Sequence, residues 1–294
     1  MDLEIIKDNK SYLLSDYDIH VQDIRVSSIP LITNRQEIDG FPGSLDYGSY
    51  YGDRPITVDF YIKARDDHDY PHLRDLLFEL LVDTKPYYIR EVRTTGEYED
   101  DSYCKQKKVE SYVNGKQYHV AVNNTIDLDQ VMKVGFGTIE YLTSGLPYAE
   151  SIYTTKELND PGYSSLVEKY GLVDGINSDN TKYKFTESNF TVWNAGNVTI
   201  EPETMRLLIR INGITPSDGF SIENLSTSEK ITYNKKLNFK TSYIIDGINF
   251  TRGGIVNEFR DTNKKFISLK PGENNIKVTG EFASIEFDFR YYYK

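Results

Sequence analysis

The sequence predicts a mainly β protein of two domains, the first carrying one amphipathic helix, and three observations support this. Tyrosine and phenylalanine number 24 and 14 in 294 residues, with 20 glycines and 10 prolines to make turns. That mix suits pleated, half-buried surfaces. Residues 55–63 alternate apolar and polar side chains, the period of two expected when a strand covers one face. From about Thr181 onward, short apolar runs recur between Gly, Asn and Pro, the spacing of a β-sandwich or jelly roll. The length accommodates two cores, and the turn at Leu146-Pro147-Tyr148 places the boundary, giving domains 1–147 and 148–294.

In the first domain, Asp39-Gly40-Phe41-Pro42-Gly43 and Tyr47-Gly48-Ser49-Tyr50-Tyr51-Gly52 are rich in turn residues and predict a long loop or a hairpin tip. In the strand that follows, Ile56, Val58, Phe60 and Ile62 share a face. Next comes the helix. Asp69 is placed to accept from an early amide, Pro71 suits the first turn, and Leu73, Leu76, Leu77, Leu80 and Leu81 follow helical spacing. Pro86 ends it, and Tyr87-Tyr88-Ile89 returns to extended structure. The acids from Glu97 to Asp101 and the bases from Lys105 to Lys108 predict an exposed hairpin. Val134 to Leu142 predicts a further strand.

In the second domain, Pro161 and Gly171 bracket a short connector helix over 161–170. Strands are expected at 190–193, 198–200, 205–211, 220–222, 231–233, 244–245 and 255–259. A long final strand over 285–291 is expected to follow a turn at 270–275.

A formal charge of −11, from 45 acidic and 34 basic residues, repels a phosphate backbone on average and argues against a nucleic-acid partner. The opening Met1-Asp2-Leu3-Glu4 lacks the basic start of a leader, and no run approaches the ~20 apolar residues of a membrane span. The chain therefore reads as soluble and made in the cytoplasm, without a membrane partner. Its one cysteine, Cys104, forms no internal disulfide, so stability must come from packing and assembly.

Chemistry is sparse. His68 and His72 lie four apart near Asp66, Asp67 and Asp69, but Pro71 between them spoils a regular helical presentation of two ligands. Residues 174–180 are oxygen-rich yet lack the glycine and glutamate spacing of a calcium loop. No nucleophile elbow, phosphate loop or dinucleotide turn is present. Two carboxylates would suffice for glycoside hydrolysis, but no pair stands out, and Glu286 and Asp288 read as a solvated strand face. No enzyme activity, cofactor or metal is expected. The aromatics are more informative, because Tyr and Trp suit both interfaces and sugar-stacking platforms. Tyr50 and Tyr51 in the Gly-rich loop, with Arg54 beyond it, are candidate interface residues. Trp193 reads as a sandwich-core residue, with sugar stacking as the alternative.

Three passages, in order, resemble the distal tail proteins of siphophages. They are Asp39 to Gly43 running through Arg54-Pro55-Ile56-Thr57-Val58-Asp59-Phe60 to the leucine helix, Gly137-Thr138-Ile139-Glu140-Tyr141 leading to Leu146-Pro147-Tyr148, and Leu269 to Ile276 followed by Ile285 to Tyr292. The resemblance implies an N-terminal β-sandwich with a packed helix that assembles into a six-fold ring, and a C-terminal galectin-like, jelly-roll sandwich. It implies a baseplate hub at the virion tail tip, acting in host adsorption. Its partners would be further copies of itself, the tail tube protein, the tail-associated and tape-measure proteins, and the receptor-binding protein. The galectin family's clustered sugar ligands are not found, since Trp193 precedes Asn194-Ala195-Gly196 rather than a Gly-x-Glu strand. The aromatic, β-rich second half nonetheless makes a carbohydrate-binding tail adhesin the alternative function.

Overall fold

A computed structural model describes residues 1–40, 42–95, 109–112, 115–159 and 174–294. The chain divides into two compact units, Met1–Ala149 with Lys294, and Glu150–Tyr293. The structure is mainly β, as the composition requires.

The first unit contains β1 (Asp2–Lys7), β2 (Lys10–Leu13), β3 (Ile19–Val26), β4 (Leu31–Glu37), β5 (Ser44–Tyr51), β6 (Pro55–Lys63), α1 (Tyr70–Leu81), β7 (Tyr87–Thr95), β8 (Val109–Tyr112), β9 (Lys116–Val122), β10 (Leu128–Val131) and β11 (Val134–Thr143). Its main sheet runs β2-β1-β7-β9-β11-β6-β3, with β8 added to β7 and β10 to β11. The sheet curls until β3 comes alongside β1, so its layers enclose one core. Ile56, Val58, Phe60 and Ile62 of β6 are all buried, as their alternation demands. On α1, Tyr70, Leu73, Leu77, Leu80 and Leu81 are buried in the same core, whereas Leu76 is exposed. Gly135 allows this packing, because a Cβ there would lie 2.2 Å from the Tyr70 hydroxyl.

Two local expectations change. Asp69 precedes α1 but makes no forward cap. Its carboxylate turns back to accept from the Arg65 amide at 3.3 Å, while Asp66 accepts from the amides of His68 and Asp69. Residues 47–51 are also strand rather than turn, pairing as β5 with β4 in a separate two-stranded sheet.

The second unit contains α2 (Thr155–Asn159), which follows the boundary strand β12 (Ala149–Ser151), then β13 (Lys184–Phe185), β14 (Asn189–Asn194), β15 (Leu207–Ile214), β16 (Phe220–Asn224), β17 (Glu229–Tyr233), β18 (Thr241–Asp246), β19 (Asn249–Arg252), β20 (Val256–Asn257), β21 (Gly272–Thr279), β22 (Ser284–Phe289) and β23 (Tyr292–Tyr293). A six-stranded sheet, β13-β22-β15-β18-β19-β20, faces a four-stranded one, β14-β21-β16-β17. Phe220 and Tyr233 of one sheet meet Tyr243 and Phe250 of the other, with ring centroids 5.2–6.0 Å apart. This aromatic interior is the core of the expected sandwich.

Here too some elements differ. Residues 198–200 contribute only an isolated bridge, Ile200 to Leu269. The run 255–259 shortens to β20, and the chain turns into a helical turn at Phe259–Asp261. Extended pairing begins at Gly272, so the turn at 270–275 is tighter than expected. Helix α2 was not anticipated, although Thr154 and Glu157 form a reciprocal capping box, amide to side chain in both directions. The connector helix at 161–170 and the charged hairpin at 97–108 lie outside the described residues. Among those described, no helix is long and apolar enough to cross a membrane.

Candidate assembly surface

The β4–β5 hairpin grows from the main sheet without belonging to it. Strands β3 and β6 pair up to Val26 and Ile56. Beyond them, Ser27 N–H donates to the Pro55 carbonyl and Gly52 N–H to the Pro30 carbonyl, closing the base of a ribbon that pairs only with itself. Every residue of both strands is exposed.

Its register sorts the side chains. Ile32 opposes Tyr50 and Gln36 opposes Leu45, while Leu31 opposes Tyr51 and Arg35 opposes Asp46. Opposed residues of an antiparallel pair share a face. Between Thr33 and Arg35, β5 carries one residue more than β4, and Gly48 supplies the positive φ of 96° that this bulge needs. The bulge brings Tyr47 onto the side of Ile32, Leu45 and Tyr50, where its hydroxyl donates to Gln36 Oε1 at 3.2 Å. One face is thus dominated by Ile32, Leu45, Tyr47 and Tyr50, the tyrosines 62% and 55% exposed. The other mixes Leu31 and Tyr51 with Thr33, Ser49, Arg35 and Asp46.

Tyr50 and Tyr51, expected at an interface, therefore lie on opposite faces of an exposed ribbon. Tyr51 also meets Tyr148 edge-on at 6.2 Å. Arg54 does not join them. It is 5% exposed, its amide donates to Thr143 Oγ1 at 2.8 Å, and its guanidinium lies over the Tyr118 ring at 6.0 Å. It supports the fold of the first unit and is not part of its exposed surface.

A second feature of the first unit was not anticipated. On the outer face of the main sheet, His20, Tyr61 and Phe136 stand in register across β3, β6 and β11. Their rings meet at tilts of 31° and 42°, with centroids 4.9 and 6.1 Å apart. The next row along carries Lys63, Val134 and Val131, and Met132 at the β10–β11 turn is 81% exposed. The period-two pattern of β6 could have revealed this row, since Tyr61 must oppose the buried set. Asp129 of β10 stands directly across from Phe136, and both line an acidic cleft of about 390 Å³ together with Asp59, Asp127 and Thr138. Arg25 hydrogen-bonds Asp59 there and, with a bond from Thr138, holds its carboxyl below the usual range.

In the second unit, Trp193 is not in the sandwich core. Its neighbours Val192 and Asn194 point inward. The indole packs over Gly272 and donates from Nε1 to the Gly175 carbonyl at 2.9 Å, while the Asp174 carbonyl accepts from the Tyr293 hydroxyl. The oxygen-rich turn is thus tied down through its backbone. Asp288 also departs from expectation: it is buried at 2% exposure and paired with Arg206 at 3.0 Å and Arg210 at 3.4 Å. It is no solvated face. Among the described residues, no three His, Cys, Asp or Glu side chains are grouped to hold a metal.

The comparisons with known proteins agree with this architecture. Residues 7–143 match the phage tail protein RIFT-related domain family. That stretch is similar to a phage tail domain. The whole chain also superposes on the Dit protein of phage SPP1, described as a paradigm of the hub adsorption apparatus in phages infecting Gram-positive bacteria. The TM-score is 0.64 at 14% identity, covering 98% of this chain and 99% of that one. Looser similarity extends to chains of the phage p2 baseplate in its activated conformation, with Sr and with Ca. Their TM-scores are 0.44 and 0.40 at 9% and 10% identity, covering 98% and 99% of this chain and 97% of each of those. A comparison with curated protein sequences returned no match. The resemblance to distal tail proteins read from the sequence is thus accompanied by a likeness of fold to one such hub protein.

Proposed function

We propose that this protein is the distal tail, or baseplate hub, subunit of a long non-contractile phage tail. Six copies would form a ring that joins the tail tube to the tail-associated and receptor-binding proteins. The observation that carries this reading is the tail domain at 7–143 within a fold that runs end to end with a hub protein's. Sharing a fold does not by itself transfer a role, so the surfaces matter. A cyclic ring requires two different, complementary patches on each copy and no catalytic centre. The first unit carries an apolar ribbon face and an aromatic row, neither of which covers a core of its own. Residues 1–147 would build the ring, and 148–294 would form a projecting lectin-like scaffold with no enzymatic role.

Light scattering on the full chain, alone and mixed with its tail tube and tail-associated proteins, tests the reading. A closed assembly of six is expected. A persistent monomer under all these conditions would sink it.

A further inference from the structure

We infer that a pocket at the foot of β6 binds a carboxylate side chain of an acidic peptide partner, with Arg54 as its anchor. The pocket has a volume of about 440 Å³, and all of its lining belongs to the first unit. Arg54, buried, forms its floor, and Tyr118 and Tyr51 form walls. Lys294, exposed, stands at the rim with Nζ 5.1 Å from the centre of the Tyr51 ring.

The state of Arg54 points to a ligand. Buried charges are ordinarily paired, because an ion taken out of water needs a partner to offset the loss. Among the described residues the Arg54 guanidinium makes no ion pair, and its buried Nε has no hydrogen-bond partner. Tyr118 offers it a ring face at 6.0 Å and a hydroxyl that burial keeps protonated, so the charge stays uncompensated. Glu91, the acid whose charge reaches Tyr118, pairs with Arg93 instead. A guanidinium, an ammonium and a phenol lining one pocket supply donors and positive charge, the complement of a carboxylate. Val26 and Ile29 complete the lining and give the stem of an acidic side chain an apolar wall. The single guanidinium fork and the net charge of −11 favour one inserted carboxylate over a phosphate polymer, whose further charges would be repelled. None of this depends on how many copies assemble.

Scanning calorimetry of the full chain with a capped glycine–glutamate–glycine peptide tests the site, since a ligand that binds the folded state raises its melting temperature. The glutamate peptide at millimolar concentration should raise it by a few degrees, whereas the glutamine counterpart and inorganic phosphate at equal ionic strength should not. Arg54→Met keeps the apolar stem and removes the charge. It should abolish the rise without lowering the melting temperature of the free chain, because no internal pair is broken. Lys294→Gln should melt as the wild type does and weaken the peptide roughly two- to fivefold, the size of an exposed charge pair. No rise in the wild type, an equal rise with the glutamine peptide or with phosphate, or an Arg54→Met chain that still responds overturns the site. If Arg54→Met melts far lower, Lys294→Gln decides, and an unchanged affinity there overturns the site as well.

Discussion

Asp288 occupies a strand position where parity with its neighbours gives no warning of burial, yet Arg206 and Arg210 close over it. Removing its charge leaves two guanidinium groups facing a buried neutral amide. Asp288→Asn should therefore destabilise the second unit by about 1–3 kcal/mol, the usual cost of a lost charge-assisted bond. Arg206, half exposed on its side chain, should cost under about 1 kcal/mol when changed to alanine. Urea unfolding measures both, and equal losses would show that burial of Asp288 is not the deciding factor.

Glu229 gives a pH signature. Burial pushes its carboxyl up, but bonds from the Ser268 amide and hydroxyl at 2.6 Å and from Thr227 at 2.9 Å outweigh that and hold it below its ordinary 4.5. A carboxyl depressed in the folded state stabilises fully above its ordinary value. That stabilisation is lost as pH falls through the folded value. Stability should thus decline below pH 4.5 less steeply in Glu229→Gln than in the wild type, measured as urea midpoints across the acid range. Identical slopes would exclude the contribution.

At the scale of elements, α1 and the β4–β5 hairpin contrast. Helix α1 gives Leu77 and Leu81 wholly to the core, so Leu77→Ala should cost about 2–5 kcal/mol. The hairpin gives the core nothing. Replacing residues 31–51 with a short Gly-Ser turn should leave the melting temperature of the remaining chain close to the wild-type value while abolishing assembly, and a large fall in stability would show that the ribbon is structural. The same contrast explains what could be read in advance. Strand β6 and helix α1 were legible because their apolar residues face one core, so burial imposes a period of two or of about 3.6. Strand β5 was not, because its bulge breaks the period and its tyrosines face away from any core in the same chain. Trp193 was misplaced by one residue of strand parity, since Val192 and Asn194 take the inward positions. Arg54 carried no local signal, because its burial depends on Tyr118 and Thr143, which are distant in sequence.

At the scale of the whole molecule, the two units are expected to be separate cooperative bodies, since each encloses its own interior. The first surrounds Phe60, Leu77, Ile89 and Tyr141. The second surrounds the ring cluster of Phe220, Tyr233, Tyr243 and Phe250. A core of its own is what lets a domain melt as a separate body. Calorimetry of the full chain should then resolve two transitions. Leu77→Ala should lower one and spare its companion, and Phe250→Leu should do the reverse, because a cavity is felt only where its lining is shared. A single transition, moved by both substitutions alike, would mean that the units fold as one body and that the ring-forming and projecting roles cannot be assigned to separable parts.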